Sequence, residues 1–236
     1  MSGPSNPESG FAADCVVLLH GVGMSAAIMS RLKWRLLRAG YRVANISHPS
    51  RTMPIERIAG EFLPARLREH RAAEARRLHF VTHSMGGLVL RLLLADPALR
   101  PANLGRVVML GPPNHGSAAA DTAWKNAFLR ALAGVNIARL GTGPEAVTRR
   151  LGPADFDVGI IAGDAKLNPF FARELGAPND GAVTLESARL EGMNDFIVMR
   201  HSHTVMLWRD AVIRQVLAYL RDGRFEHGPR QGRISD

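Results

Sequence analysis

Leu78-His-Phe-Val-Thr82-His83-Ser84-Met85-Gly86-Gly87-Leu-Val-Leu-Arg91-Leu-Leu-Leu-Ala95 decides the fold. Its first residues form a short apolar run of strand type. Its last eleven, from Met85, are apolar almost all round, as a buried helix must be, and Pro97 stops them. A serine set between two such elements occupies a sharp strand-to-helix turn, which strains its backbone and lifts its hydroxyl above the sheet. Small residues must follow because the turn brings backbone segments together, and Gly86 and Gly87 supply them. Thr82 stands where the usual Gly-x-Ser-x-Gly pattern has its first glycine, so a β-branched side chain has to fit there. The helix starting at Met85 also turns its unpaired N–H groups toward any anion that develops beside Ser84.

Working outward, strand-like runs recur at Cys15–Leu19, Arg42–Ile46, Val107–Leu110, Val158–Ala162 and Phe196–Met199, alternating with helical stretches. Nearly unbroken apolar strands between helices imply an α/β three-layer sandwich with a mostly parallel central sheet covered on both faces. The first helix starts with Ser25 as its cap and ends at Gly40. A second fills Pro54 to about Arg76 and is kinked or split by Pro64. Another lies near Asp121–Ala133, and the last covers about Trp208–Asp222. The sequence shows no linker and no repeat. The expectation is one domain over 15–227 with a small cap-like insertion at about 117–156, between flexible ends at 1–14 and 228–236.

Composition sets the outer limits. With 236 residues and 46% apolar content, the chain is long enough and apolar enough for a substantial core, which excludes a disordered chain. A single cysteine, Cys15, excludes an internal disulfide framework and multi-cysteine metal sites. No run approaches the ~18 apolar residues of a membrane span. The opening decapeptide lacks the basic and apolar regions of a signal peptide, so a cytoplasmic location is expected. The net charge is +9, and most of the excess falls in residues 31–77, where twelve basic side chains face four acids. That density is read as solvated helix faces. Peripheral contact with an anionic surface is the alternative, and no nucleic-acid motif accompanies the arginines.

A nucleophilic serine needs an oxyanion hole, a base and an orienting acid. Val16-Val-Leu-Leu-His20-Gly21-Val22-Gly23 is a strand ending in a small-residue loop, which puts backbone N–H groups beside the elbow. The expected donors are the N–H of Val22 and that of Met85. In chain order serine, acid, histidine, the base comes from Arg200-His201-Ser202-His203-Thr204. His203 is preferred because it lies farther past the last strand, with His201 as the alternative. His201-x-His203 is also a metal-pair spacing, but the sequence holds no third ligand cluster. For the acid, Asp180 is preferred to Asp164 and Asp195, which sit at strand ends.

These motifs resemble those of the α/β-hydrolase superfamily, and within it compact bacterial lipases and esterases with a short His-Gly-x-Gly loop and an Ala/Thr-His-Ser-Met-Gly-Gly elbow. The matching segments are Val16–Gly23, Val81–Gly87, Val107–Ser117, Asn179–Val183 and the His203 loop, in that order. The resemblance implies a minimal α/β-hydrolase fold. It implies Ser84 as nucleophile, Asp180 as acid, His203 as base, and Val22 and Met85 as oxyanion donors. Gly111-Pro-Pro-Asn-His-Gly-Ser117 corresponds to a loop that borders the pocket in such hydrolases. His20, Gly21, Asn114 and His115 are therefore substrate-side candidates. The implied activity is hydrolysis of a small-molecule acyl ester through an acyl-enzyme, with no cofactor and no metal. Thioesterase, amidase or acyltransferase chemistry on the same residues is the alternative, and a non-catalytic binding protein on the hydrolase fold is a further one. The chain lacks the cysteine pair, long lid and secretion signal of typical secreted lipases.

Overall fold

The computed structural model describes residues 13–165 and 178–228, so the expected flexible ends lie almost wholly outside the described residues. Its centre is a sheet of six strands: β1 (Cys15–Leu19), β2 (Arg42–Ile46), β3 (Leu78–His83), β4 (Leu104–Leu110), β5 (Val158–Gly163) and β6 (Asp195–Met199). They lie in the order β2-β1-β3-β4-β5-β6, and every pairing is parallel. This is the expected α/β architecture.

The two faces of the sheet divide the apolar residues by strict alternation. Val17, Leu19, Phe80, Val107 and Met109 belong to one core cluster, which they share with α4 (Met85–Ala95) and with the segments α2 (Ile55–Arg57) and α3 (Leu63–Glu69). Val16, Leu18, Val81 and Val108 belong to the other, against α1 (Ser30–Arg38) and a C-terminal helix at Asp210–Asp222. Helices therefore cover both faces, and the strands read as continuous apolar runs because neither face meets water.

Three helices differ from expectation, each for a local reason. A 3-10 turn, Ala26–Met29, comes between Ser25 and α1, and Ser25 makes no side-chain cap bond. The segment after Pro54 is broken into α2, a π-turn at Ile58–Phe62 and α3. Pro64 has no N–H to give and its ring crowds the turn before it, so the backbone widens there. Arg71, with φ 52°, then ends the helical stretch before Arg76. The helix near 121–133 is two, α5 (Ala118–Lys125) and α6 (Ala127–Ala133). Ser117 caps the first through Ala120 N–H, and Asn126 caps the second through Leu129 N–H. Further on come α7 (Leu185–Ala188) and α8, the helix at Asp210–Asp222.

Half of the cations of the basic segment form ion pairs in place. Arg31 and Arg35 pair with Asp210, Arg57 with Glu61, Arg66 with Glu69, Arg71 with Glu74 and Arg76 with Asp14. These cations are spread over α1, α2, α3 and the β3 entry, on both faces of the sheet. Among the described residues no helix is long and apolar enough to cross a membrane.

The sheet order reverses beside β1, since β2 follows it on one side and β3 on the other. Loops leaving the carboxyl ends of β1 and β3 therefore open a crevice, the usual ligand position in such sheets.

Candidate active site

The elbow is built as the sequence requires. Leu19 pairs with Thr82, so the loops after β1 and β3 leave the sheet side by side. Ser84 has φ 51° and ψ −124°, a left-handed conformation strained for a non-glycine residue, and it is one of two non-glycine residues with positive φ among those described. Surrounding bonds hold it there: its N–H donates to Leu110 C=O and its C=O accepts from Gly87 N–H. Gly86 admits no side chain, because a Cβ there would lie 2.5 Å from the Leu19 carbonyl oxygen. Thr82 fits with its side chain fully buried, its hydroxyl against the space that Gly87 leaves.

The loop after β6 brings His203 to Asp180. The His203 Nδ1–H donates to Asp180 Oδ2 at 2.7 Å, and the His203 backbone N–H donates to the Asp180 carbonyl at 2.9 Å. The other carboxylate oxygen accepts from the backbone N–H groups of Ala182 and Val183. Burial pushes the Asp180 carboxyl up, but the His203 imidazole and those two N–H donors outweigh it, so it lies below the usual carboxylate range. With Nδ1 carrying the proton toward Asp180, Nε2 of neutral His203 is left as the acceptor. Gly111, with φ 53°, passes so close that a Cβ would touch both Asp180 Oδ2 and His203 Nδ1 at 3.0 Å.

Ser84 and His203 line one cavity of about 180 Å³ with Gly21 and Val22 of the β1 loop. Apart from Ser117, the rest of its wall is apolar, including Pro113, Val183 of the acid loop, and Ile137 and Leu140 from the segment between β4 and β5. Met85 is buried at the start of α4, directly behind Ser84.

The other candidates sit elsewhere. His201 has no bond to Asp180, and burial together with the Arg209 charge holds its pKa down. Asp164 is exposed past β5, while Asp195 accepts from Phe196 and Phe225 N–H and from His227. His20 is fully buried and does not reach the cavity. The Asn114 side chain is bound to Arg91 and to the Ala188 carbonyl, which ties the 111–117 loop to α7, and His115 is exposed. Of the substrate-side candidates, only Gly21 lines the cavity. Among the described residues no cluster of three or more His, Cys, Asp or Glu could hold a metal.

From its place beside the serine, His83 is expected to point elsewhere, and the structure turns it against the His203 loop. His83, beside the serine, donates from Nε2 to the His203 carbonyl at 2.9 Å, and its ring tilts against the His203 ring at 4.7 Å. Complete burial, aided by the neighbouring His203, pushes its pKa down to about 3, so it is neutral. Its place at the carboxyl end of β3, facing the same edge as the loop after β6, was the available signal.

The fold is similar to that of the mature form of the Bacillus licheniformis lipase BlEst2, with a TM-score of 0.63 and 22% identity over 92% of this chain and 93% of that one. The metagenomic carboxyl esterase MGS0156 gives a TM-score of 0.58 at 19% identity, over 87% of this chain and 71% of that one. The phospholipase PlaB of Legionella pneumophila gives 0.61 at 17%, over 75% of this chain and only 45% of that one. At such identities the likeness is one of fold. No curated protein matches the chain. Its residues 16–225 match the model of the alpha/beta hydrolase family, and with most of its length so covered the chain belongs to that family.

Proposed function

We propose that the protein is a serine hydrolase that cleaves carboxylic esters of short acyl chains through an acyl-enzyme. The observation that carries this reading is one small apolar cavity lined by a strained, buried Ser84 and by a His203 already bonded to a buried carboxylate. In the proposed sequence, His203 Nε2 takes the hydroxyl proton as Ser84 Oγ bonds to the acyl carbon. The N–H groups of Val22 and Met85 receive the developing oxyanion. The carbon–oxygen bond of the ester then breaks, and His203 returns the proton to the departing alcohol. Water repeats the two proton transfers, breaking the acyl–Ser84 bond and releasing the acid. His203 and Asp180 act throughout as base and orienting acid.

The acyl preference follows from size. The part of the cavity next to Ser84 and His203 holds about 180 Å³, which suits a short acyl chain better than a long one. Hydrolysis of p-nitrophenyl esters is expected to peak at short acyl chains and to fall steeply by laurate. Ser84→Ala is expected to remove about six orders of magnitude of kcat and all labelling by a fluorophosphonate probe. Labelling that survives in Ser84→Ala defeats the assignment. Matched thioester and amide substrates in the same panel decide which acyl bond is cleaved fastest.

A further inference from the structure

Three consecutive peptides of the loop after β1 are each anchored by a side chain, and two of those side chains come from the loop after β2. The His20 carbonyl accepts from His48 Nε2–H at 2.9 Å. The Gly21 carbonyl accepts from His20 Nδ1–H at 2.8 Å. The Gly23 N–H donates to Ser50 Oγ at 3.0 Å. A trans peptide points its C=O and N–H in opposite directions, so fixing one end fixes the other. The His20 ring therefore sets the direction of the Val22 N–H, and Ser50 sets the peptide on the far side of Val22.

The histidines depend on each other. His48 backbone N–H donates to His20 Nε2 at 3.1 Å, which keeps that nitrogen bare and the proton on Nδ1, where the Gly21 carbonyl needs it. The two rings stack at 3.9 Å with 6° between their planes. Both are buried, Nε2 of His20 is taken by the His48 N–H, and burial holds the pKa of each ring down, so both are neutral. Asn136, between β4 and β5, locks the anchor from behind. Its Nδ2 donates to the Ser50 and Met53 carbonyls, and its Oδ1 accepts from Ile55 N–H.

We infer that His48 and Ser50 are positioning residues for the oxyanion hole, acting through His20 and the peptides that flank Val22. The inference rests on the ester-hydrolase reading above. Neither residue lines the cavity, so their influence falls on the direction of a backbone donor and leaves the binding walls intact. A donor turned away from the oxyanion weakens transition-state binding while ground-state binding stays the same.

The test compares wild type, His48→Phe, His48→Gln and Ser50→Ala on a short-chain p-nitrophenyl ester and on an aryl boronic acid, whose tetrahedral adduct mimics the oxyanion. His48→Phe keeps a stacked ring but loses the donor, and it is expected to lower kcat by roughly 10–100-fold with KM within about threefold. Boronate affinity should fall by a similar factor. Ser50→Ala, a small change that leaves the fold intact, should act in the same direction. His48→Gln, which restores an N–H to the His20 carbonyl, should recover most of kcat. Unchanged kcat in both His48→Phe and Ser50→Ala overturns the inference. So does a loss in which KM and melting temperature move while boronate affinity stays unchanged, because that is general loosening. A wild type without Ser84-dependent turnover defeats the hydrolase reading and this inference together. Ser84-dependent turnover that ignores both substitutions defeats the anchor alone.

Discussion

Asp180 is only 2% exposed, and such burial alone favours the neutral acid. Two backbone N–H groups of its own loop and the His203 Nδ1–H keep it ionised instead. Asp180→Asn leaves the size of the group nearly unchanged but lets the amide donate, so the imidazole can settle in the wrong tautomer. A fall in kcat of about 10⁴-fold with little change in KM is expected, as read by steady-state kinetics. A change under tenfold would remove Asp180 from the mechanism. At this scale the sequence was legible where chain order and strand position constrain a residue. His203 was preferred to His201 because it lies deeper in the loop, and the structure joins His203 to Asp180. His83 and His48 were not legible in the same way, because their partners lie 120 and 28 residues away and no local spacing announces such pairings.

At the scale of elements, the elbow depends on a close approach between α4 and the end of β1. Gly86→Ala would set a methyl 2.5 Å from the Leu19 carbonyl oxygen and 2.9 Å from that of His20, both of them backbone atoms that a side-chain rotation cannot relieve. A loss of roughly 1–3 kcal/mol is expected, seen as a lower urea midpoint, together with loss of turnover as the serine shifts. A variant with wild-type midpoint and activity would show that the crossing is looser than these contacts imply. The six strands and α4 were readable because parallel strands buried on both faces are unbroken apolar runs. The start of β4 was not, since Gly105 and Arg106 interrupt the run; the Arg106 N–H donates to His79 Nδ1, a bond the apolar pattern does not encode. Likewise the split between α5 and α6 is set by one capping bond at Asn126, while the surrounding composition favours a single helix.

For the whole molecule, the net charge of +9 is spread over separate helices, and half of the twelve cations in 31–77 form ion pairs. Exposed pairs of this kind contribute little individually, so added salt should barely move stability. Acid should move it strongly. Burial lowers the pKa of His20, His48, His79 and His83, with His48 and His83 pushed down to about 3. Above about pH 6.5 these rings are neutral whether the chain is folded or not, and they add no dependence. Below it the unfolded chain takes up protons that the folded chain refuses, so each ring costs up to roughly 1.4 kcal/mol per pH unit until its folded pKa is reached. Asp180, with a folded pKa held low, adds its own loss only below about pH 4. The urea midpoint is expected to fall steeply from pH 6.5 to 4.5, and a midpoint flat across that range would contradict the neutral buried histidines.

The reversal of strand order beside β1 also shapes how the chain is made. β1 leaves the ribosome first, yet one of its two neighbours, β3, is synthesised only after β2 and the helices that follow it. Pairing across such a gap is slow, because the loop must close before the contacts reward it. Cys15–Leu19, apolar on both faces, therefore keeps one edge open until β3 follows, and the chain is most prone to aggregate over that interval.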